Sequence, residues 1–403
     1  MNRLLLIPSS CILTSLALVT SASAQLYWDT NGATAGAGNP ADGTWDAATT
    51  NWSTDSSGSI ATGAYVEGSD VVFSAGSDAA TANITVSGTQ SVSSLSIEEG
   101  DVTIGGNNID DSSGTVTVSV ASGASGTINS SMTFNANFDV DGELFVQSVG
   151  SGGSSSMTGT GTLRTSRLDS AVTINGGTII YVSGGPSDNK LKGATINSGG
   201  TLRVESAAFV SGKRNLAVNT GGTFEMAAGV SETVSVLSGA GSIVGETGSA
   251  LTVGGDNKNA TFNGTISGEI DIVSAGTGSL TFSDSTSMEF VIGADGVSNS
   301  ILGDGVNMTT TNLNGEFSFD LIGADLSLGN EWTIVDVADL NEVFGASFSV
   351  DGFTEAGDVW TNGALEFSEL TGTLQVVPET STSGLFLGLG AVVFVVSCRR
   401  SRK

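Results

Sequence analysis

Three stretches of this chain decide its fold: "VTINGGTIIYV" at 172–182, "ATINSGGTLRV" at 194–204 and "LAVNTGGTFEM" at 216–226. Their Gly-Gly-Thr steps end at Thr178, Thr201 and Thr223, spacings of 23 and 22 residues. Each unit reads as a strand, an Asn-Gly-Gly turn, a second strand and a polar return. Apolar and polar residues alternate on either side of the turn, the period of a half-buried strand. A unit this short cannot bury its own apolar side, but it can bury it against the next copy. A period in the low twenties, with no helical pattern between copies, predicts a β-solenoid whose coil is one repeat. Successive coils would then lie about 4.8 Å apart, the spacing of paired strands. The alternation turns Val172, Ile174, Ile196, Leu202, Val204, Val218 and Phe224 inward.

The same texture extends outward from these copies. In "ATANITVSGTQSVSSLSIEEGDVTIGG" (80–106), Ile84 and Val86, then Val92, Leu95 and Ile97, then Val102 and Ile104 mark three more strands. The composition agrees: 57 Gly, only 4 Pro and 13% charged residues suit short strands joined by Gly, Asn, Ser and Asp turns. The mature chain would open with Trp28, Trp45 and Trp52 among Asp, Asn and Gly. These rings read either as an aromatic sugar platform or as a cap. A repeat stack needs an atypical terminal unit to close its core, which favours a Trp-rich cap over 25–80. Repeats then fill 81–299. From about Ile301 the strands lengthen and Gly pairs thin out, so a separate small β region is expected over 300–377.

Both ends of the chain read as addresses. Residues 1–24 carry Arg3, an apolar run from Leu4 to Val19 and the small-residue site Ala22-Ser23-Ala24. That is the layout of a secretory signal peptide cut after Ala24. At the other end, Pro378, Glu379 and Thr380 open an uncharged stretch that runs from Thr380 to Cys398, followed by Arg399, Arg400, Arg402 and Lys403. A helix over those nineteen residues would span about 28 Å, barely a bilayer core. The four basic residues would hold its end in the cytoplasm.

Charge and missing residue types exclude several functions. Taking the body as Gln25 to Ser383, five of the 13 Lys and Arg lie outside it and all 41 acidic residues lie within it. Eight basic against 41 acidic residues leave the body at −33, which disfavours nucleic acid as a partner. No His occurs in the chain and no Cys in the body, which removes His/Cys metal sites and His-dependent catalytic triads. The adjacent pairs Glu98-Glu99 and Asp110-Asp111 cannot converge on a sugar, because neighbours in a strand point to opposite faces. "DVDGE" at 139–143 clusters oxygens near a Gly but lacks the rest of a calcium loop. Lys190, Lys192, Lys213 and Arg214 read as solvated loop charges. No enzyme, cofactor or metal is expected.

Three stretches resemble known families. "FNGTISGEIDIVSAGTGSLTFS" (262–283) is similar to the autotransporter-associated β-strand repeat through Phe262, Gly264, Ile266, Gly268, Gly276, Gly278 and Leu280. The Tyr27–Trp52 frame and "VVFSAG" (71–76) resemble the N-terminal block of bacterial secreted proteins that carry such repeats. The tail resembles the PEP-CTERM sorting signal at Pro378 and Glu379, with Thr380 in place of the second Pro. The resemblance implies a right-handed parallel β-helix and a C-terminal hydrophobic helix. It also implies passage through the inner membrane, processing by an exosortase-type enzyme, and a diderm bacterium that makes exopolysaccharide. The expected protein is a non-enzymatic structural or adhesive rod at the cell surface or in the exopolysaccharide matrix. The alternative is a polysaccharide-binding or polysaccharide-degrading β-helix. An autotransporter passenger is disfavoured, because the repeats are followed by a helix-like tail rather than by a membrane barrel.

Overall fold

The computed structural model describes residues 24–111, 114–150, 153–182, 191–209 and 214–378. Ala22 and residues 379–403, with Glu379, Thr380 and the basic end, lie outside the described residues, as do Lys190 and Lys213. Every regular element among the described residues is a strand, and most strands pair in parallel into one continuous ladder.

Each coil contributes up to three strands. The first face holds the strands that follow the Gly-Gly-Thr step: Gly177–Tyr181, Gly200–Val204 and Thr223–Met226. Their register aligns Thr162, Thr178, Thr201, Thr223 and Ser242 in one column. The second face holds Ala171–Ile174, Ala194–Ile196, Asn215–Val218 and Val236–Gly239. There Val172, Ala194, Leu216 and Leu237 align. A third face is short. It is continuous where Ser231–Val234 pairs with the end of Ser242–Val253, and that with Thr265–Ser274. In the middle coils the described residues show it as single bridges, Val149 to Leu168 and Leu191 to Phe209.

The core is a stack of like on like. Leu163, Ile179, Leu202, Phe224 and Ile243 succeed one another on the first face, all fully buried. All seven residues expected to face inward do so, none more than 2% exposed. The Gly pairs have a steric reason. Gly199 and Gly221 take φ of 80° and 78°, the left-handed region that Gly enters freely. A Cβ on Gly200 or Gly222 would lie 2.8 or 2.6 Å from a backbone oxygen of the neighbouring coil. Beside them, Asn197 donates from Nδ2 to Asn175 Oδ1, and Asn219 to Asn197 Oδ1, both at 2.7 Å. The repeated Asn thus forms a ladder of its own along one corner.

Coil length is less regular than the three copies suggest. Paired positions on the first face step from 162 to 178, 201, 223, 242 and 265, then from 287 to 316 and 349. Only the short strands need register. Insertions and deletions are taken up at the corners, where the backbone is solvated.

The two ends differ from the middle. Trp28, Trp45 and Trp52 are buried, and they pack edge-on among themselves and against Phe73. Their rings face inward, so they form no sugar platform. Gln25–Trp28 joins the second-face ladder through Ser69–Phe73. At the far end the solenoid does not stop at 299. Ser287–Val291 pairs with Glu316–Asp320, which pairs with Ser349–Val350. The change of texture near Ile301 marks longer corners rather than the end of the stack. What departs from the solenoid is a five-stranded antiparallel sheet built from Glu331–Thr333, Thr354–Glu355, Val359–Asn362, Leu365–Ser368 and Thr373–Val376. It lays Phe367 against Phe317, Phe344 and Phe348 of the last coils.

Candidate functional site

The residues suspected from the sequence have local structural tasks. Glu99 accepts hydrogen bonds from Ser74 Oγ (2.9 Å) and the Ala79 amide (3.3 Å). Asp110 accepts from Thr133 Oγ1 at 2.8 Å. In the 139–143 stretch, Asp139 accepts from Thr158 Oγ1, while Asp141 takes both the amide and the hydroxyl of Thr160. These acids tie one coil to the next. Among the described residues, no group of three or more His, Cys, Asp and Glu is placed to hold a metal ion.

Two concave regions among the described residues carry charged side chains worth weighing. The first, about 340 Å³, lies over the third face near the C-terminal coils. Its acidic wall is Glu269 and Asp271, two apart on Thr265–Ser274 and therefore on the same side. Burial raises the Asp271 carboxyl above its ordinary value, partly offset by the Ser300 amide that donates to it at 2.8 Å. A rise of about 3.3 Å per residue sets such a pair roughly 7 Å apart, within the range of an acid–base pair for sugar cleavage. The opposite wall is Val291, Ile292, Val297 and Ile322, and the lining includes no aromatic ring and no cation to hold a sugar. An alternating Glu-x-Asp in a strand was the sequence signal for this pair.

The second region, about 440 Å³, runs along the second face of the middle coils. Lys192, Arg214 and Lys258 line it, together with Asn215 and small side chains, and among the described residues no Asp or Glu does. The register explains the row. Ala194 pairs with Leu216, Asn215 with Val236, and Ser238 with Thr261. Counting back to the corner, Lys192, Arg214, Ser235 and Lys258 fall on four successive coils. The backbone agrees, since the Lys192 amide donates to Ser170 O and the Ser235 amide to Arg214 O. The floor is another column, Thr173, Thr195, Ala217 and Ser238.

The first face carries its charges differently. Arg203 reaches Glu246 at 2.8 Å, Glu225 at 3.5 Å and Glu205 at 3.6 Å, and Arg164 reaches Glu205 at 3.1 Å. The hydrogen bond from Arg203 holds the Glu246 carboxyl below its ordinary value. These cations are satisfied within the molecule. In the second-face groove, Lys192 pairs with Asp169 and Lys258 with Asp256, both acids outside the lining. Arg214 Nε is buried with no hydrogen-bond partner. No protein-family model, curated protein or solved structure matches this chain.

Proposed function

We propose that the protein is an exported structural or adhesive rod, a right-handed parallel β-helix retained in the envelope or exopolysaccharide matrix of a diderm bacterium. The observation that carries this reading is the parallel ladder that runs from the Trp-rich end to Val350. Such a stack gives stiffness and long solvated faces without needing disulfides. The end residues supply the address: a signal peptide cut after Ala24, and a sorting tail of Pro378, Glu379, Thr380, an apolar helix and a basic end. Pro378 is exposed just beyond the last strand, Thr373–Val376, a position open to an exosortase-type enzyme. Its role is non-catalytic. The alternative, a polysaccharide-binding rod, draws support from the cation-lined groove.

The test is mass spectrometry of surface-extracted protein from the native host. Sorting predicts a chain that begins at Gln25 and ends near Pro378, lacking Arg399 to Lys403. Surface protein that still carries Lys403 would mean a permanent anchor instead.

A further inference from the structure

We infer that the second-face groove binds a carboxylate-bearing polysaccharide, such as a polyuronate, lying along the rod axis. The inference rests on reading the protein as an exported matrix component, and it names the site and ligand class within that reading.

Charge placement is the first ground. The eight cations of the body all lie between Arg164 and Lys258, in a body of −33. Three of them line one groove whose described lining residues include no Asp or Glu. Stacking like charges on neighbouring strands opposes folding, by repulsion between side chains a coil apart. On the first face the same problem is solved by interleaved Glu residues. On the second face Asp169 and Asp256 pair with Lys192 and Lys258 from outside the groove, and a bound anion would complete the row at Arg214.

Geometry is the second ground. A corner column repeats every coil, about 4.8 Å, so Lys192 and Arg214 are one step apart and Arg214 and Lys258 two. A row of cations along an axis matches a polymer with charges in a row better than a single small anion. The buried Nε of Arg214 has no partner, and the terminal nitrogens of its planar fork suit a carboxylate. The hydroxyls of Thr173, Thr195 and Ser238 beside the row can meet sugar hydroxyls. Nucleic acid fits less well: three cations neutralise few phosphates, and the body repels the rest.

Binding of the purified full-length chain, in non-ionic detergent, is measured to polygalacturonate, neutral dextran and single-stranded DNA at low and moderate salt. The expected result is binding to polygalacturonate that weakens with salt and exceeds binding to the other two. Lys192→Gln/Arg214→Gln/Lys258→Gln should weaken it about tenfold or more, the scale of one or two charged hydrogen bonds. Arg164→Gln, on the first face, should change nothing. Should the triple variant fail to fold, Arg214→Gln alone should still weaken binding and Asn215→Lys should strengthen it. The inference is overturned if a folded triple variant binds as the parent does, or if dextran or DNA binds as tightly as polygalacturonate. Either result leaves the location reading intact, because that reading is decided by the termini of surface protein.

Discussion

The first and second faces of the middle coils are built from the same repeat, yet they arrange their charges differently. On the first, Arg203 is surrounded by Glu205, Glu225 and Glu246. On the second, Lys192 and Lys258 pair with Asp169 and Asp256 outside the groove, and Arg214 lines it with no acid among the described lining residues. Inward, the two faces are alike, with Leu202 on one and Leu216 on the other, both fully buried. The coil therefore separates two jobs. Inward residues hold the stack, and outward residues are free to differ from face to face. A surface with its charges internally paired is a finished wall. A surface on which Arg214 Nε lacks an internal partner, in a row of cations beside small hydroxyl side chains, is open to a ligand.

The largest effects should come from the shared interior. Leu202→Ala and Leu216→Ala should each lower stability by about 2 to 5 kcal/mol, read from the urea midpoint. Similar losses would support equal roles for the two faces in the core. A loss confined to one would mean that the other packs loosely. An intermediate effect is expected at the corner between the faces. Asn197→Ala removes both ladder hydrogen bonds, to Asn175 and Asn219, and should cost about 1 to 2 kcal/mol. The smallest belongs to the first-face surface. Arg203→Ala should cost at most about 1 kcal/mol, because partly exposed ion pairs contribute little, and 1 M salt should erase most of it. A loss as large as that of Leu202→Ala would mean that the Arg203 network holds the coils together.

Much of this was legible from three copies of one motif. Strand positions, the inward residues and the Gly-Gly-Thr column follow from alternation and spacing, because both are local. The extension of the stack to Val350 was hidden, since parallel pairing needs register and burial rather than a conserved coil length. The third face was hidden for a related reason: in the middle coils it amounts to single bridges such as Leu191 to Phe209. The cation row was the least visible. Lys192, Arg214 and Lys258 are 22 and 44 residues apart, and they align only once each intervening coil is counted. Glu269 and Asp271 were in plain view, and a same-face search for acids at i and i+2 would have found them.

The coil register underlies both the shared core and the aligned row, and paired cysteines test it directly. Thr195 and Ala217 are partners on adjacent coils of the second face and point outward. With Cys11 and Cys398 replaced by Ser, Thr195→Cys/Ala217→Cys should oxidise to an intramolecular disulfide and melt no lower than the parent. Thr195→Cys/Ser238→Cys, two coils or about 9.6 Å apart, should stay reduced under the same conditions. Free thiols in the first pair, or equal cross-linking in both, would contradict the register.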